Sequence, residues 1–129
     1  MVRLSNRFLP PIISAYVVLG ILFSLLIPAW EAPDEPAHYN YVRQLADFQF
    51  PVMTDSDYDQ AYQSEVIGAD FDPRYSIIPF SYEDYQPPLY YLLQTPVFWL
   101  FDGSLIAMRI FGVILGAITL FLAWQGRSE

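Results

Sequence analysis

The chain has 129 residues, enough for one small domain, but 54% of them are hydrophobic and concentrated at the two ends, which is atypical of a soluble domain. The formal net charge is -8, and twelve of the fourteen acidic residues lie between Glu31 and Asp84, a balance that disfavours nucleic acid as a partner. Cysteine is absent, which excludes disulfides and thiolate metal sites.

The first apolar segment, from Phe8 to Trp30, contains no charged residue. As a helix it would rise about 34 Å, and a bilayer core of about 30 Å requires around 20 such residues. We therefore predict a cytoplasmic N-terminus at residues 1–10 and a transmembrane helix at residues 11–30. A cleaved signal peptide is the alternative, but the apolar run exceeds the usual length of about 7 to 15 residues, and no A-x-A site follows it.

The acidic segment at residues 31–84 is predicted to form an outer loop. Asp34 stands where an N-cap is expected, and apolar residues recur at helical spacing after it, which predicts a juxtamembrane helix at about residues 35–48. The packed stripe of this helix is expected to contain Ala37, Tyr41, Leu45 and Phe48. From Thr54 to Asp84 no period is evident, and we interpret this part as a solvated connection.

Residues 85–101 also lack charge, but only about 13 of them follow the proline pair Pro87-Pro88, which is short for a span of about 20. They are therefore predicted to form an interfacial or re-entrant helix. The second clear span is predicted at residues 104–124, interrupted only by Arg109. A short tail at residues 125–129 follows it.

Three arginines, Arg3, Arg7 and Arg127, flank one side of a two-span topology, so the positive-inside rule predicts cytoplasmic termini and an extracytoplasmic loop at residues 31–104. If residues 85–101 crossed the bilayer as well, Arg127 would lie outside. The sequence therefore predicts an all-α, multi-pass protein of the cell (inner or plasma) membrane. Its two transmembrane helices would flank an outer loop that carries a juxtamembrane helix and an interfacial or re-entrant helix.

The first candidate site consists of Glu31, Asp34, Glu35 and His38, whose spacing of three or four residues puts side chains on one face at a helix start. Paired carboxylates can hold a divalent cation through oxygen, or one of them can act as general base. No cofactor is predicted beyond this optional cation. The alternative interpretation is that Asp34 only caps the helix and His38 lies on the surface.

Two further candidates lie near the second span. The segment from Gln86 to Tyr91 reads Gln-Pro-Pro-Leu-Tyr-Tyr, so rigid prolines precede interfacial tyrosines; an ordinary helix start explains the spacing equally simply. Arg109 lies about one turn inside the second span. It can snorkel to the interface, or it can face a cavity and bind an anion, since its planar donors match a phosphate.

The order of these motifs is informative. The segment Pro28–Tyr39 follows the first span, Gln86–Tyr91 follows the loop, and Ala107-Met108-Arg109 opens the second span. In this order the chain resembles the N-terminal portion of polytopic membrane glycosyltransferases of the GT-C fold, in particular the DUF2142-type proteins and the protein-mannosyltransferase-like superfamily. The resemblance extends over about residues 8 to 126 and is weak from Thr54 to Asp84.

The resemblance implies a transferase of the cell envelope that moves a hexose or pentose from a polyprenyl-phosphate-linked sugar to an acceptor on the extracytoplasmic face. It implies catalytic roles for Asp34 and Glu35, which would also be the candidate metal ligands. It further implies substrate-binding roles for the residues His38, Gln86, Tyr90 and Arg109.

GT-C enzymes have many more transmembrane helices than this chain, so the resemblance implies a fragment that lacks activity alone, because preorganised catalysis needs the complete site. Its partners would be the remaining transmembrane helices of a full-length protein or of a separate membrane protein. The alternative is a non-enzymatic two-span subunit or scaffold that docks a partner helix through the small-xxx-small pair Gly112 and Gly116. An outer-face cation sensor is a third reading, weakened because Asp55, Asp57 and Asp59 do not continue into a calcium-loop pattern.

Overall fold

A computed structural model describes residues 8–126, and it confirms the all-α prediction over this range: five helices and no strand. In chain order the helices are α1 (Leu9–Leu26), α2 (Glu35–Ala46), α3 (Gln60–Gly68), α4 (Leu89–Leu100) and α5 (Leu105–Gln125). The predicted termini lie largely outside the described residues, and so do the three arginines of the topology argument, Arg3, Arg7 and Arg127.

The chain divides into two compact units. The helix unit contains the described residues 8–26 and 106–126, and therefore α1 and nearly all of α5. The loop unit runs from Ile27 to Leu105. Of the helices between residues 8 and 126, α1 and α5 are the two that are long and apolar enough to cross a membrane.

In the helix unit, two small residues let α1 and α5 approach closely. A Cβ added to Gly20 would lie 2.7 Å from a methyl carbon of Val113, and one added to Gly116 would collide with the Tyr16 ring. The outward side chains of both helices are apolar and exposed; Leu26, for example, is 73% exposed. Such surfaces are unfavourable in water but suit an apolar solvent.

The loop unit has its own core, formed by the buried side chains of Ala37, Val66 and Phe80. Two of these three residues, Val66 and Phe80, come from the stretch between Thr54 and Asp84. Asp59 caps α3 by accepting a hydrogen bond from the backbone N–H of Tyr62, and α3 then places Val66 in the core. The interpretation of this stretch as a solvated connection is therefore wrong for α3 and for the segment around Phe80.

A buried asparagine on α2 connects that helix to the segment before the proline pair. Asn40 is 0% exposed, and its Nδ2 donates to the carbonyl oxygens of Ile77 at 2.6 Å and of Phe80 at 2.8 Å. Its Oδ1 accepts a hydrogen bond from Arg43 Nε at 3.2 Å. Because the amide is paired on both ends, its burial carries no desolvation penalty from unmade hydrogen bonds.

Helix α4 packs against α2. The rings of Tyr41 and Tyr91 stack with centroids 3.8 Å apart, and Trp99 Nε1 donates to the Ala46 carbonyl at 3.1 Å. The predicted stripe of α2 holds for Ala37 and Tyr41, which are buried, but is wrong for Phe48, which is 88% exposed. The reason is that α2 ends at Ala46, and the left-handed backbone at Phe48 takes its side chain off the helix face.

Candidate functional site

Asp34 lies at the N-cap position of α2, as its sequence context predicts, but its side chain does not cap the helix. Its backbone is left-handed, with φ 58°, a conformation that Asp tolerates better than most residues. The carboxylate turns to Tyr82 instead, whose hydroxyl donates to Asp34 Oδ1 at 2.9 Å. Asp34 is exposed, and its Oδ2 accepts no hydrogen bond from the residues that the structure describes.

Glu35, the first residue of α2, fixes the turn that precedes the helix. Its Oε2 accepts a hydrogen bond from the backbone N–H of Trp30 at 2.9 Å, and its own N–H donates to the Ala32 carbonyl at 3.2 Å. These contacts close the turn that carries Asp34. Glu35 is thus a positioning residue in this geometry.

His38 lies one turn further along α2 and contacts α4. Its Nδ1 is 2.8 Å from the hydroxyl oxygen of Tyr91, and the two rings are stacked with centroids 5.9 Å apart. Burial raises the pKa of Tyr91, so the phenol stays protonated and its hydroxyl can donate to Nδ1 in the tautomer in which that nitrogen carries no hydrogen. The sequence motifs around Asp34 and around Tyr91 are thereby connected by side chains 53 positions apart.

Gln86 and Tyr90 lie in the same unit. The Gln86 carbonyl accepts a hydrogen bond from the Tyr41 hydroxyl at 3.1 Å, and its Nε2 donates to Glu83 Oε2 at 2.7 Å. Tyr90 is exposed, and its hydroxyl accepts a hydrogen bond from Gln94 Nε2 at 2.8 Å. Both side chains are therefore ordered by neighbours within one turn, while the ring of Tyr90 stays accessible to a ligand.

Three residues of this region were not predicted: Tyr82, Glu83 and Asp84. Burial, and next the hydrogen bond to Asp34, raise the pKa of Tyr82, so its phenol remains a donor to that carboxylate. Asp84 is buried, which raises its pKa, and both of its oxygens accept hydrogen bonds from Gln44 Nε2, at 3.0 and 3.1 Å. Two adjacent acids that lie between tyrosines, and two residues before a proline pair, are the sequence signal that could have indicated them.

Arg109 belongs to the helix unit, and one of its contacts there completes the end of α1. Its Nη1 donates to the Ser24 carbonyl in the last turn of α1 at 3.1 Å. In a continuing helix this carbonyl would pair with the N–H of residue 28, but that residue is Pro28, which has none. The guanidinium thus supplies the missing donor and places a positive charge at the negative end of the α1 dipole.

A metal centre has little support in this geometry. Within residues 8–126, no group of three or more His, Cys, Asp or Glu side chains is arranged to hold a metal ion. One oxygen each of Asp34 and Glu35 is occupied, by Tyr82 and by the Trp30 amide. The arrangement suits proton transfer by a single exposed carboxylate better than chelation by a carboxylate pair.

No family model, curated protein or solved structure matches this chain. The glycosyltransferase resemblance therefore stays a prediction from the order of its motifs.

Proposed function

We propose that this chain is part of a GT-C-type membrane glycosyltransferase whose loop unit presents Asp34 to an acceptor hydroxyl on the extracytoplasmic face. The observation that carries the proposal is the joining of two distant motifs. The Asp34-Glu35-x-x-His38 segment and the Gln86–Tyr91 segment meet through the His38–Tyr91 contact at 2.8 Å and the Tyr41–Gln86 hydrogen bond at 3.1 Å.

In the proposed topology α1 and α5 cross the cell membrane, with cytoplasmic termini and the loop unit outside. Helix α4 has 12 residues, which span about 18 Å and are too few to cross a core of about 30 Å. Its polar residues Gln94 and Thr95 are buried, whereas Leu89 and Leu100 are exposed. An exposed apolar face on a short helix supports an interfacial position for α4 rather than a re-entrant one.

In the proposed reaction Asp34 is the general base. Tyr82 fixes the carboxylate by donating to Oδ1, and Oδ2 takes the proton of the acceptor hydroxyl. The acceptor oxygen then forms a bond to the anomeric carbon of a polyprenyl-phosphate-linked sugar, and the bond from that carbon to the phosphate oxygen breaks, leaving its electron pair on the phosphate. His38, Gln86 and Tyr90 would contact the sugars.

Two of the roles implied by the resemblance change in this proposal. Glu35 positions the turn before α2 rather than acting on the substrate, because its carboxylate holds the Trp30 amide. Arg109 completes the end of α1 through Ser24, which favours a structural role over binding of the donor phosphate. Further transmembrane helices, from the same or a separate polypeptide, would complete the donor site.

The test compares Asp34→Asn with Asp55→Asn in membranes that contain the protein in its native context. The substrates are radiolabelled polyprenyl-phosphate hexoses and pentoses, and the readout is label transferred to acceptor. Removing a general base should reduce transfer by about 100-fold or more in Asp34→Asn, whereas Asp55→Asn, an exposed acid of the same unit, should transfer normally. Near-normal transfer by a folded Asp34→Asn protein would remove Asp34 from catalysis.

The non-enzymatic scaffold is the second candidate, and the exposed apolar side chains of α1 and α5 are the observation that favours it. The small-residue pair Gly112 and Gly116 is a less suitable docking surface for a partner helix, because Gly116 packs against Tyr16 of the same chain. A partner would have to use the outward faces instead. A stoichiometric complex with a separate polytopic enzyme whose activity is unaffected by Asp34→Asn would favour the scaffold.

A further inference from the structure

The loop unit contains a cavity of about 310 Å³ whose lining does not include Asp34, and this volume is within the range of about 300 to 1,000 Å³ that small ligands occupy. Its lining includes the aromatic residues Trp30, Phe71 and Tyr75, together with the aliphatic residues Val66, Pro73 and Ile77. No charged side chain lines it. We infer that this aromatic pocket binds an organic ammonium group.

The walls of the aromatic pocket are held in a fixed shape. Trp30 and Phe71 both have left-handed backbones, with φ 73° and 53°, which bulky residues rarely adopt. Each is fixed by a hydrogen bond from its backbone N–H, to Glu35 Oε2 at 2.9 Å and to the Val66 carbonyl at 3.0 Å. Strained backbone persists where the surroundings determine it, and such residues cluster at ligand sites.

The charge of the loop unit favours a cation in the aromatic pocket. The unit contains thirteen acidic residues and two arginines, and aromatic ring faces attract ammonium groups. The hydroxyl of Tyr75 donates to Glu65 Oε1 at 3.0 Å, so a carboxylate contacts one of the pocket's aromatic residues. The neighbouring Arg74 does not oppose this, because its guanidinium makes two hydrogen bonds to Asp72, at 2.9 and 3.0 Å.

The polarity of the lining favours an ammonium group over a sugar. Among the lining side chains the polar groups are the Tyr75 hydroxyl, already donated to Glu65, and the Trp30 indole N–H. A sugar would have to pair most of its hydroxyls with the lining backbone or with water rather than with polar side chains. A trimethylammonium group has no hydrogen bonds to satisfy and interacts with ring faces alone. This inference does not depend on the proposed glycosyltransferase activity.

The test uses the full chain in nanodiscs of phosphatidylglycerol, which carries no ammonium head group. The double variant Trp99→Phe with Trp124→Phe leaves Trp30 as the one fluorescent indole. Choline is titrated into this protein, and in a parallel experiment so is its neutral isostere, in which a carbon atom replaces the nitrogen. The geometry predicts saturable quenching by choline with an affinity at least about tenfold higher than that of the isostere. Equal affinity for the two probes would overturn the inference.

Two substitutions of Tyr75, a lining residue, test whether choline binds in the aromatic pocket. Tyr75→Leu removes a ring and should weaken choline binding by about tenfold, while Tyr75→Phe keeps the ring and should stay within about threefold of the parent. Tyr58→Leu, a tyrosine of the same unit outside the pocket, is the control. Unchanged binding in a folded Tyr75→Leu protein would also refute the site.

A final experiment distinguishes the two sources of an organic ammonium group, a lipid head group and a free small molecule. Phosphatidylcholine replaces part of the phosphatidylglycerol, and the choline titration is repeated. Loss of the choline response would identify a head group as the occupant, because the lipid then fills the aromatic pocket. An unchanged response would identify a free ammonium compound as the ligand.

Discussion

The helix unit buries few of its described side chains, whereas the loop unit buries a core of apolar and polar side chains. In α1 and α5 the buried residues are Ser24 and Met108, while large apolar side chains point outward. In the loop unit the buried set includes the polar residues Asn40, Glu83, Asp84, Gln94 and Thr95. The helix unit therefore depends on an apolar surrounding, whereas the loop unit depends on hydrogen bonds within itself. This difference predicts that the two units respond to different perturbations.

The largest effect is expected from Asn40→Ala, which should destabilise the loop unit alone. The change leaves the buried carbonyl of Phe80 without its side-chain donor, at a cost of about 1–3 kcal/mol for a buried unsatisfied group, while the Ile77 carbonyl still accepts from the N–H of Phe80. A loss of up to about 3 kcal/mol is expected, measured by urea unfolding of the full chain in detergent with near-UV circular dichroism as the readout.

Gln49→Ala is the matched control for Asn40→Ala, because Gln49 is exposed and lies just beyond the same helix. It should change stability by less than about 0.5 kcal/mol. An Asn40→Ala protein as stable as this control would show that the segment around Phe80 is held without the asparagine.

An intermediate effect is expected from Arg109→Met in the helix unit. The Ser24 carbonyl then loses its donor, and pairing of α1 and α5 should weaken by about 1–2 kcal/mol. The chain has no cysteine, so the pair Gly20→Cys and Val113→Cys can serve as a disulfide reporter of helix pairing. A Cβ on residue 20 would lie 3.4 Å from the Cβ of Val113, which is close to disulfide geometry.

The readout for Arg109→Met is the rate of disulfide formation between positions 20 and 113 in detergent. Cross-linking should slow in Arg109→Met and be largely retained in Arg109→Lys, which keeps a donor and a charge. Equal rates in all three proteins would show that the contact with Ser24 does not help the two helices to pair.

The smallest effect is expected from alkaline pH, and it should appear in the loop unit. The pKa values of Tyr82 and Tyr91 are raised above the ordinary value of 10.0 by burial, so both phenols are protonated more strongly in the folded than in the unfolded chain. Their contribution to stability is therefore complete below about pH 10 and declines as the pH rises through the folded pKa values.

Melting of the near-UV signal should thus begin at lower temperature above about pH 10, while far-UV helicity from α1 and α5 changes little. The double variant Tyr82→Phe with Tyr91→Phe should lose most of this pH dependence. A melting temperature that falls equally steeply in the double variant would assign the effect to other groups.

The helix unit was more predictable from sequence than the loop unit, for a physical reason. An uncharged run of about 20 residues has few structural outcomes, so α1 and α5 follow from composition. The core of the loop unit joins Ala37 to Phe80 through contacts that leave no periodic signal, and the Asn40 amide pairs with a segment 37 to 40 positions away. Long-range pairing of this kind is invisible to local patterns.

The candidate site was predicted in part for the same reason. The positions of Asp34, Glu35 and His38 at the start of α2 follow from a capping pattern, which is local. Their partners Tyr82, Trp30 and Tyr91 do not follow from it, because hydrogen bonds between distant segments depend on the fold. The prediction for Phe48 was wrong for a different reason: the helical pattern was extended past Ala46, where the helix ends.

The contact between Arg109 and Ser24 has a consequence for the timing of synthesis. These two residues are 85 positions apart, so at about 5–20 residues per second a ribosome needs about 4–17 s to reach the arginine after the serine. During that interval the last turn of α1 has an open carbonyl, and the ribosome synthesises the whole loop unit. Translation thus completes the chain of the loop unit before its two flanking helices can be completed as a pair.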